Sequence, residues 1–244
     1  MGFDRRDSGE QGHEVVLAVA AHPDDLDFSV SATVALWARQ GAEVYYVVCT
    51  DGERGFQEEL PISERIHLRR EEQRAAAQTV GAKDVIFLGH TDGELANTPK
   101  LQEDLVKVMR RYRPTRVMAA DPANQAFDSF YRFHPDHRAA AVALYDALYP
   151  AVGNPHFFPH LIELGYLPHT PREVYFFGTE KPNVWIDISD TIGLKMRALL
   201  CHESQIGPER AGEISKYVRE RAEQVGSERN LPYADAYRRL EIPR

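Results

Sequence analysis

The sequence predicts an α/β fold: a Rossmann-like, mostly parallel sheet flanked by helices, with a C-terminal elaboration. Two observations lead to this prediction. Four short apolar runs lack polar alternation and are bounded by turn residues, as expected for strands buried on both faces. Helix-length segments separate these runs in strict alternation, which is typical of parallel strands joined by crossover helices.

The four apolar runs are predicted to form the first four strands. A proline, glycine or aspartate follows each run within two residues, and these residue types favour turns. The runs cover residues 15–21, 44–49, 85–88 and 117–120. Each is far shorter than the roughly 18–20 apolar residues that cross a bilayer, so we expect no membrane span.

Helices are predicted between the strands, over residues 28–40, 62–80, 98–112 and 136–148. The first two end at Gly41 and Gly81, where glycine favours a helix C-terminus. Within the third, Leu101, Leu105 and Val108 recur at helical spacing. The fourth is rich in alanine, a strong helix former.

The pattern changes after Pro150. Residues 154–171 carry several prolines and aromatic residues and are predicted to form a long loop or lid that shapes a pocket. Two further strands are expected over 174–177 and 184–188, followed by helices over about 190–202 and 209–226. We predict a flexible N-terminus over 1–13 and a single domain over 14–244.

Composition excludes several classes of protein. Hydrophobic residues make up 43% and charged residues 27% of 244 residues, which suits a globular protein rather than a disordered chain. The formal net charge of −8 gives no reason to expect a nucleic-acid partner. No signal peptide is visible and two cysteines cannot build a disulfide framework, so a cytoplasmic protein is expected.

The motif His22-Pro23-Asp24-Asp25 follows the first predicted strand. Ligands of open α/β sheets bind beyond the carboxyl ends of the strands, so the location of this motif favours a functional site. One interpretation is a pair of metal ligands, His22 and Asp25, beside a free carboxylate, Asp24, that can act as a base. The other is a turn in which Asp24 or Asp25 caps the following helix.

A second motif, His134-Pro135-Asp136-His137, follows the fourth predicted strand. Histidines at positions i and i+3 of a helix start share a face, and proline suits the first helical position. Alone, this motif is equally consistent with a helix cap that carries exposed histidines. Paired with the first motif at the same edge of the sheet, it indicates a metal site.

Counting ligands sharpens this interpretation. A catalytic zinc ion takes three protein ligands and keeps one position open. His22, Asp25 and one of the two histidines supply three, and we choose His137. That leaves Asp24 as a base and His134 as a second acid or electrophile, the further groups needed to hydrolyse an unactivated amide. Asp136 could orient a ligand histidine or interact with the helix dipole, and we favour the dipole.

Both motifs resemble those of the PIG-L/LmbE-like family of zinc-dependent sugar N-deacetylases and amidases. The resemblance extends over residues 15–205. It includes Thr50-Asp51-Gly52-Glu53, Arg69 to Glu72, Leu88-Gly89 with Asp92-Gly93, and Lys195, His202, Ser204 and Gln205.

The resemblance implies a role for each matching residue. His22, Asp25 and His137 match the metal ligands, and Asp24 matches the general base. His134 matches the residue that polarises the carbonyl and stabilises the oxyanion, and we expect it to act as an imidazolium. Arg69 and Asp92 match positions that hold sugar hydroxyls. The resemblance does not decide whether His202 lies in the pocket, at a subunit contact or on the helix surface. One departure is Asp27, where many bacterial members carry Glu before a glycine-rich stretch.

The expected function is hydrolysis of the acetyl amide of an N-acetylated amino sugar or glycoconjugate. The expected cofactor is Zn²⁺, with Fe²⁺ as an alternative, because a site of two histidines and one aspartate is not very selective. An amidase of a thiol conjugate or natural-product amide would use the same centre, and a non-catalytic metal-binding scaffold is a further alternative. By resemblance alone, a homo-oligomer is expected.

Overall fold

A computed structural model of the chain describes residues 14–56 and 59–243. The predicted flexible N-terminus, residues 1–13, lies outside the described residues. The strands are β1 (Val15–Ala20), β2 (Glu43–Thr50), β3 (Asp84–His90), β4 (Arg116–Ala120), β5 (Glu173–Phe177), β6 (Val184–Asp187) and β7 (Ala234–Glu241). The α-helices are α1 (Asp25–Ser29), α2 (Ser31–Arg39), α3 (Ile62–Thr79), α4 (Pro99–Tyr112), α5 (Pro135–Asp146), α6 (Pro159–Glu163), α7 (Ile192–Leu199) and α8 (Glu203–Ser227), and a π-helical segment, Ala147–Ala151, follows α5.

The described strands form one sheet in the order β3-β2-β1-β4-β5-β7-β6. The first five are parallel, which confirms the predicted mostly parallel α/β sheet. The chain runs outward from β1 to β3 and then crosses back to place β4 beside β1. The strand order therefore reverses between β1 and β4, the point where ligands bind in such sheets.

Helices cover both faces of the parallel strands, and this explains why β1 is apolar throughout. Val16 and Ala18 pack with residues of α2, α3 and α7 on one face. Leu17 and Val19 pack with residues of α4 and α5 on the other. Every residue of β1 is buried, so packing on both faces fixes the position at which the following segment begins.

The C-terminal elaboration consists of two antiparallel strands. β7 pairs with β5 and with β6, so β7 lies between them and extends the sheet. β7 was not predicted, because its sequence, ADAYRRLE, has no continuous apolar run. Tyr237 is fully buried, whereas Arg238 and Arg239 are partly exposed.

Three helical segments differ from the predicted ones. The helix predicted over 28–40 is two helices, because the backbone breaks at Val30. The helix predicted over 209–226 is the longer part of α8, which is interrupted where Gly207 adopts φ 67° before Pro208. Residues 154–171 form mostly loop but include the short helix α6.

A single buried side chain ties that loop to α4. Arg110 donates hydrogen bonds to the carbonyl oxygens of Ala151, Val152, Asn154 and Phe157 at 2.9–3.1 Å. Within residues 14–56 and 59–243, no helix combines the length and apolar character needed to cross a bilayer.

Replacing Arg110 by Met should lower the free energy of unfolding by about 2–4 kcal/mol, because four carbonyl groups lose a charged donor. Urea unfolding followed by circular dichroism measures this loss. Arg111, an exposed neighbour on the same helix, supplies the control: Arg111→Met should change stability by no more than about 0.5 kcal/mol. Equal stabilities of the two variants would contradict the role given to Arg110.

Candidate functional site

The two histidine motifs meet at the reversal point of the sheet. His22 follows β1 and His137 lies in the first turn of α5, after β4. Although 115 residues separate them, His22 Nδ1 and His137 Nε2 lie 3.1 Å apart. The structure thus brings the two motifs together.

The carboxylate of Asp25 completes a group of three donors. Its Oδ1 lies 3.1 Å from His137 Nε2, and its Oδ2 lies 3.6 Å from His22 Nδ1. Two atoms bonded to one tetrahedral zinc ion lie roughly 3.3 Å apart, because each bond is about 2.0–2.1 Å long. The spacing and chemistry of these donors therefore fit a zinc site.

Outer contacts direct a lone pair of each histidine toward this point. His137 Nδ1 donates a hydrogen bond to the carbonyl oxygen of Arg132 at 3.3 Å, which leaves Nε2 as the free acceptor. His22 Nε2 lies 3.0 Å from Asp92 and 3.1 Å from Asp136, which leaves Nδ1 free. Partners of this kind orient metal-binding histidines in many proteins.

Asp136 corrects one expectation from the sequence. We favoured an interaction with the helix dipole, but the Asp136 side chain is fully buried against His22. It also accepts hydrogen bonds from the backbone N–H groups of Gly93 and Leu95 at 2.7 and 3.2 Å. Asp136 therefore contacts both the turn after β3 and the imidazole of His22. This matches the alternative interpretation, in which Asp136 orients a ligand histidine.

The balance of charge around His22 is strongly negative. Burial lowers the pKa of His22, but hydrogen bonds with Asp136, Asp25 and Asp92 outweigh it and raise that pKa to about 12. Three carboxylates thus stabilise a positive charge at this point. A divalent cation would satisfy the same demand.

His134 lies beside this group but differs from His22 in its protonation. It caps α5, because its Nδ1 accepts a hydrogen bond from the backbone N–H of Asp136 at 3.3 Å. A backbone N–H can only donate, so the proton of a neutral imidazole is on Nε2. Burial and the positive charges of His22 and His137 lower the pKa of His134. The expected imidazolium is therefore disfavoured.

The His134 ring nonetheless lies within reach of the other two histidines. Ring nitrogens of His22, His134 and His137 lie within 4.8 Å of one another, so these three side chains are a second candidate ligand group.

Asp24 occupies a strained position at the start of α1. Its φ is 89°, a value that costs about 1–3 kcal/mol for a residue other than glycine. Its backbone N–H donates to Gln73 Oε1 at 2.9 Å, and its Oδ2 accepts from Arg69 Nη2 at 3.4 Å. Burial raises the pKa of Asp24, the Arg69 charge opposes this shift, and Asp25 adds to it.

Arg69 and Asp92, the expected sugar-binding residues, both line the cleft at this site. Arg69 is buried, and its Nη2 donates to the carbonyl oxygen of Pro23 at 2.7 Å. A Cβ on Gly52 would lie 2.8 Å from the same Nη2, so glycine allows this approach. Asp92 contacts His22 through Oδ1 and accepts from the backbone N–H of Arg54 through Oδ2. Their roles toward sugar hydroxyls stay predictions.

A cleft of 1620 Å³ opens above the site. Residues of the loop over 121–134 line one wall, among them Phe127, Phe130 and Tyr131. Residues of α8 line another, among them Ile214 and Tyr217. None of the described residues that line this cleft belongs to the segment over 154–171, so the expectation that this segment shapes the substrate pocket is wrong. Residues 165–168 line a separate cavity beside α4.

A family profile matches the part of the chain that carries both histidine motifs. The profile of the family described as "PIG-L: GlcNAc-PI de-N-acetylase" matches residues 17–148, more than half of the chain. The chain belongs to the PIG-L family of deacetylases. The matched residues, 17–148, include both histidine motifs together with β4 and α5.

Individual relatives extend the similarity beyond the family region. The diacetylchitobiose deacetylase of Thermococcus kodakarensis is 34% identical over 91% of this chain and 82% of its own length. The structure of the N,N'-diacetylchitobiose deacetylase from Pyrococcus horikoshii, bound to its inhibitor, superposes with a TM-score of 0.86. It is 28% identical and covers 93% of this chain and 84% of that one. A mycothiol S-conjugate amidase of Streptomyces coelicolor is 32% identical over 50% of this chain and 47% of its own length.

Near Asp24 lie one residue that was not predicted from the sequence, Gln73, and one whose role was left undecided, His202. Gln73 follows Arg69 by four residues, and this helical spacing places both side chains on one face of α3. The four-residue spacing from Arg69 could have identified Gln73 as a residue that faces the site. His202, left undecided from the sequence, is fully buried and pairs with Asp27 at 2.9 Å. No sequence signal indicates that pair, because the two residues are 175 positions apart.

Replacing Asp136 by Asn should lower the free energy of unfolding of the metal-free protein by about 1–3 kcal/mol. The amide NH₂ would face a buried N–H donor and leave it without an acceptor. Denaturant unfolding measures this difference. The exposed Asp190 serves as the control, since Asp190→Asn should stay within about 0.5 kcal/mol of the wild type. An unchanged Asp136→Asn variant would show that the buried contacts contribute nothing.

Proposed function

We propose that the chain is a zinc-dependent hydrolase that removes the acetyl group from the amide nitrogen of an N-acetylated amino sugar or glycoconjugate. One observation carries the proposal: donor atoms of His22, Asp25 and His137 converge, with Asp24 and His134 beside them. The similarity to a diacetylchitobiose deacetylase over most of the chain supports the substrate class. Arg69 and Asp92 then bind sugar hydroxyls from the cleft wall.

His22, Asp25 and His137 are the proposed metal ligands. Asp25 is preferred to His134 as the third ligand because the Nδ1 of His134 already accepts a hydrogen bond and its Nε2 carries the proton. A divalent cation held there supplies Lewis-acid chemistry, which polarises a carbonyl group and lowers the pKa of a coordinated water. Zn²⁺ suits two imidazoles and one carboxylate, and Fe²⁺ is an alternative.

Asp24 is the proposed general base. Its carboxylate accepts a proton from the water whose oxygen forms the new bond to the amide carbon. The same proton then passes to the nitrogen as the carbon–nitrogen bond breaks, since an amide anion is a very poor leaving group. The products are a free amine and acetic acid, which ionises to acetate. The raised pKa of Asp24 suits a group that first accepts and then donates a proton.

His134 is proposed to stabilise the oxyanion of the tetrahedral intermediate. As a neutral imidazole with the proton on Nε2, it donates a hydrogen bond toward the developing charge. The hydrogen bond from the Asp136 backbone to Nδ1 keeps this tautomer in place. This replaces the imidazolium that we expected from the sequence.

An amidase acting on a thiol conjugate is the second candidate, supported by the similarity to a mycothiol S-conjugate amidase over half of the chain. Its centre would be the same, and only the groups on either side of the amide would differ. Incubating the zinc-loaded protein with N-acetylglucosamine, N,N'-diacetylchitobiose and a cysteine-conjugate amide, and measuring acetate and free amine, separates the candidates. Acetate from the sugars supports the deacetylase. Release of amine from the conjugate alone supports the amidase.

Replacing Asp24 by Asn should lower kcat by about 10²–10⁴-fold while zinc stays bound, because the variant lacks a proton acceptor. Acetate release and elemental analysis measure the two effects. Asp128→Asn, in an exposed side chain of the loop over 121–134, should leave both unchanged. Near-full activity of Asp24→Asn would rule out Asp24 as the base.

Metal content distinguishes the two candidate ligand groups. His137→Ala and Asp25→Ala should each lose bound zinc together with activity, whereas His134→Ala should keep about one zinc per chain and lose only activity. Elemental analysis after dialysis against a weak chelator gives the stoichiometry. Zinc retained in Asp25→Ala but lost in His134→Ala would assign the third ligand to His134 instead.

A further inference from the structure

Gln73 of α3 connects two parts of the first turn of α1. Its Oε1 accepts from the backbone N–H of Asp24 at 2.9 Å, and its Nε2 donates to Asp27 Oδ2 at 2.8 Å. The orientation of the amide is unambiguous, because a backbone N–H can only donate and a carboxylate accepts. The Gln73 side chain is fully buried, so water does not compete for either contact.

Asp24 depends on an outside partner of this kind. As the residue that caps α1, it makes no side-chain hydrogen bond to the helix start, and its φ of 89° is a conformation that L-residues rarely adopt. Such conformations persist only where surrounding contacts hold them. Gln73 holds the N–H at this point, and the backbone direction there decides where the Asp24 carboxylate lies.

The Nε2 of Gln73 binds Asp27, which belongs to a second buried pair. Asp27 is fully buried, and its Oδ2 also lies 2.9 Å from His202 Nε2. The backbone N–H of Asp27 donates to the carbonyl oxygen of Asp24 at 2.9 Å, which closes the turn. A chain of contacts therefore runs from His202 through Asp27 and Gln73 to the backbone of Asp24.

We propose that Gln73 is a positioning residue for the proposed reaction: its amide holds the strained turn at Asp24 so that the Asp24 carboxylate faces the attacking water. This rests on the proposed role of Asp24 as general base. The Gln73 amide makes its two hydrogen bonds with the Asp24 backbone and the Asp27 carboxylate, and neither residue is a proposed metal ligand. Its effect is thus on kcat, since displacing a catalytic group by about 1 Å can cost roughly 10²-fold in rate.

A double-mutant cycle between Gln73 and Asp24 tests the proposal in the zinc-loaded protein. Gln73→Met removes both hydrogen bonds and should lower kcat for N,N'-diacetylchitobiose by about 10–100-fold. KM should stay within about twofold and zinc content should not change. In the Asp24→Asn background, Gln73→Met should cost less than about threefold more, because the base it positions is already absent.

Gln78, exposed on the same helix, provides the matched control, and Gln78→Met should leave kcat unchanged. If Gln73→Met does not fold, Gln73→Asn keeps the amide but is one methylene too short to reach both partners, and the same loss of kcat is expected. An equal loss in the wild-type and Asp24→Asn backgrounds, or a loss that follows zinc content, would overturn the proposal.

The two proposals fail in different ways. Full activity of Asp24→Asn would remove the proposed base, and with it the reason for Gln73 to matter. A large loss in Asp24→Asn with no loss in any Gln73 variant would leave the proposed function intact and reject only the positioning role.

Discussion

Electrostatic demand for a cation at the end of β1 is the constraint on which the rest of the site depends. Three carboxylates contact the imidazole of His22, and a fourth, that of Asp24, lies two residues further along the chain. Carboxylates this close repel one another unless a positive charge lies among them. A protonated His22 meets the demand in the metal-free protein, and a divalent cation would meet it better. The same crowding explains why Arg69 is buried against the turn.

The fold supplies the rigid frame that such crowding requires. β1 and β4 are neighbours buried between two layers of helices, so their carboxyl ends hold the two motifs at fixed spacing. Proline follows the first histidine of each motif: Pro23 fixes the backbone between the end of β1 and α1, and Pro135 begins α5. Contacts from α3 then hold the strained backbone at Asp24. The site is thus built from four elements that the order of the sheet brings together.

Much of the fold could be predicted because buried parallel strands are apolar throughout and end at turn residues. β7 could not be predicted, because its two arginines interrupt the apolar pattern of a strand whose one tyrosine is buried in the core. Within the site, the candidate residues were identified because both motifs are short and follow strands. The network of Gln73, Asp27 and His202 was missed because it depends on tertiary contacts between distant segments. The tautomer of His134 depends on one backbone hydrogen bond, which the sequence does not reveal.

The central claim is that His22, Asp25 and His137 together hold a metal ion. Anomalous diffraction from crystals of the zinc-loaded protein, recorded on both sides of the zinc absorption edge, tests it most directly. The account predicts one strong zinc peak within bonding distance of His22 Nδ1, the Asp25 carboxylate and His137 Nε2. The absence of a peak at this point, or a zinc ion bound by His134 in place of Asp25, would contradict it.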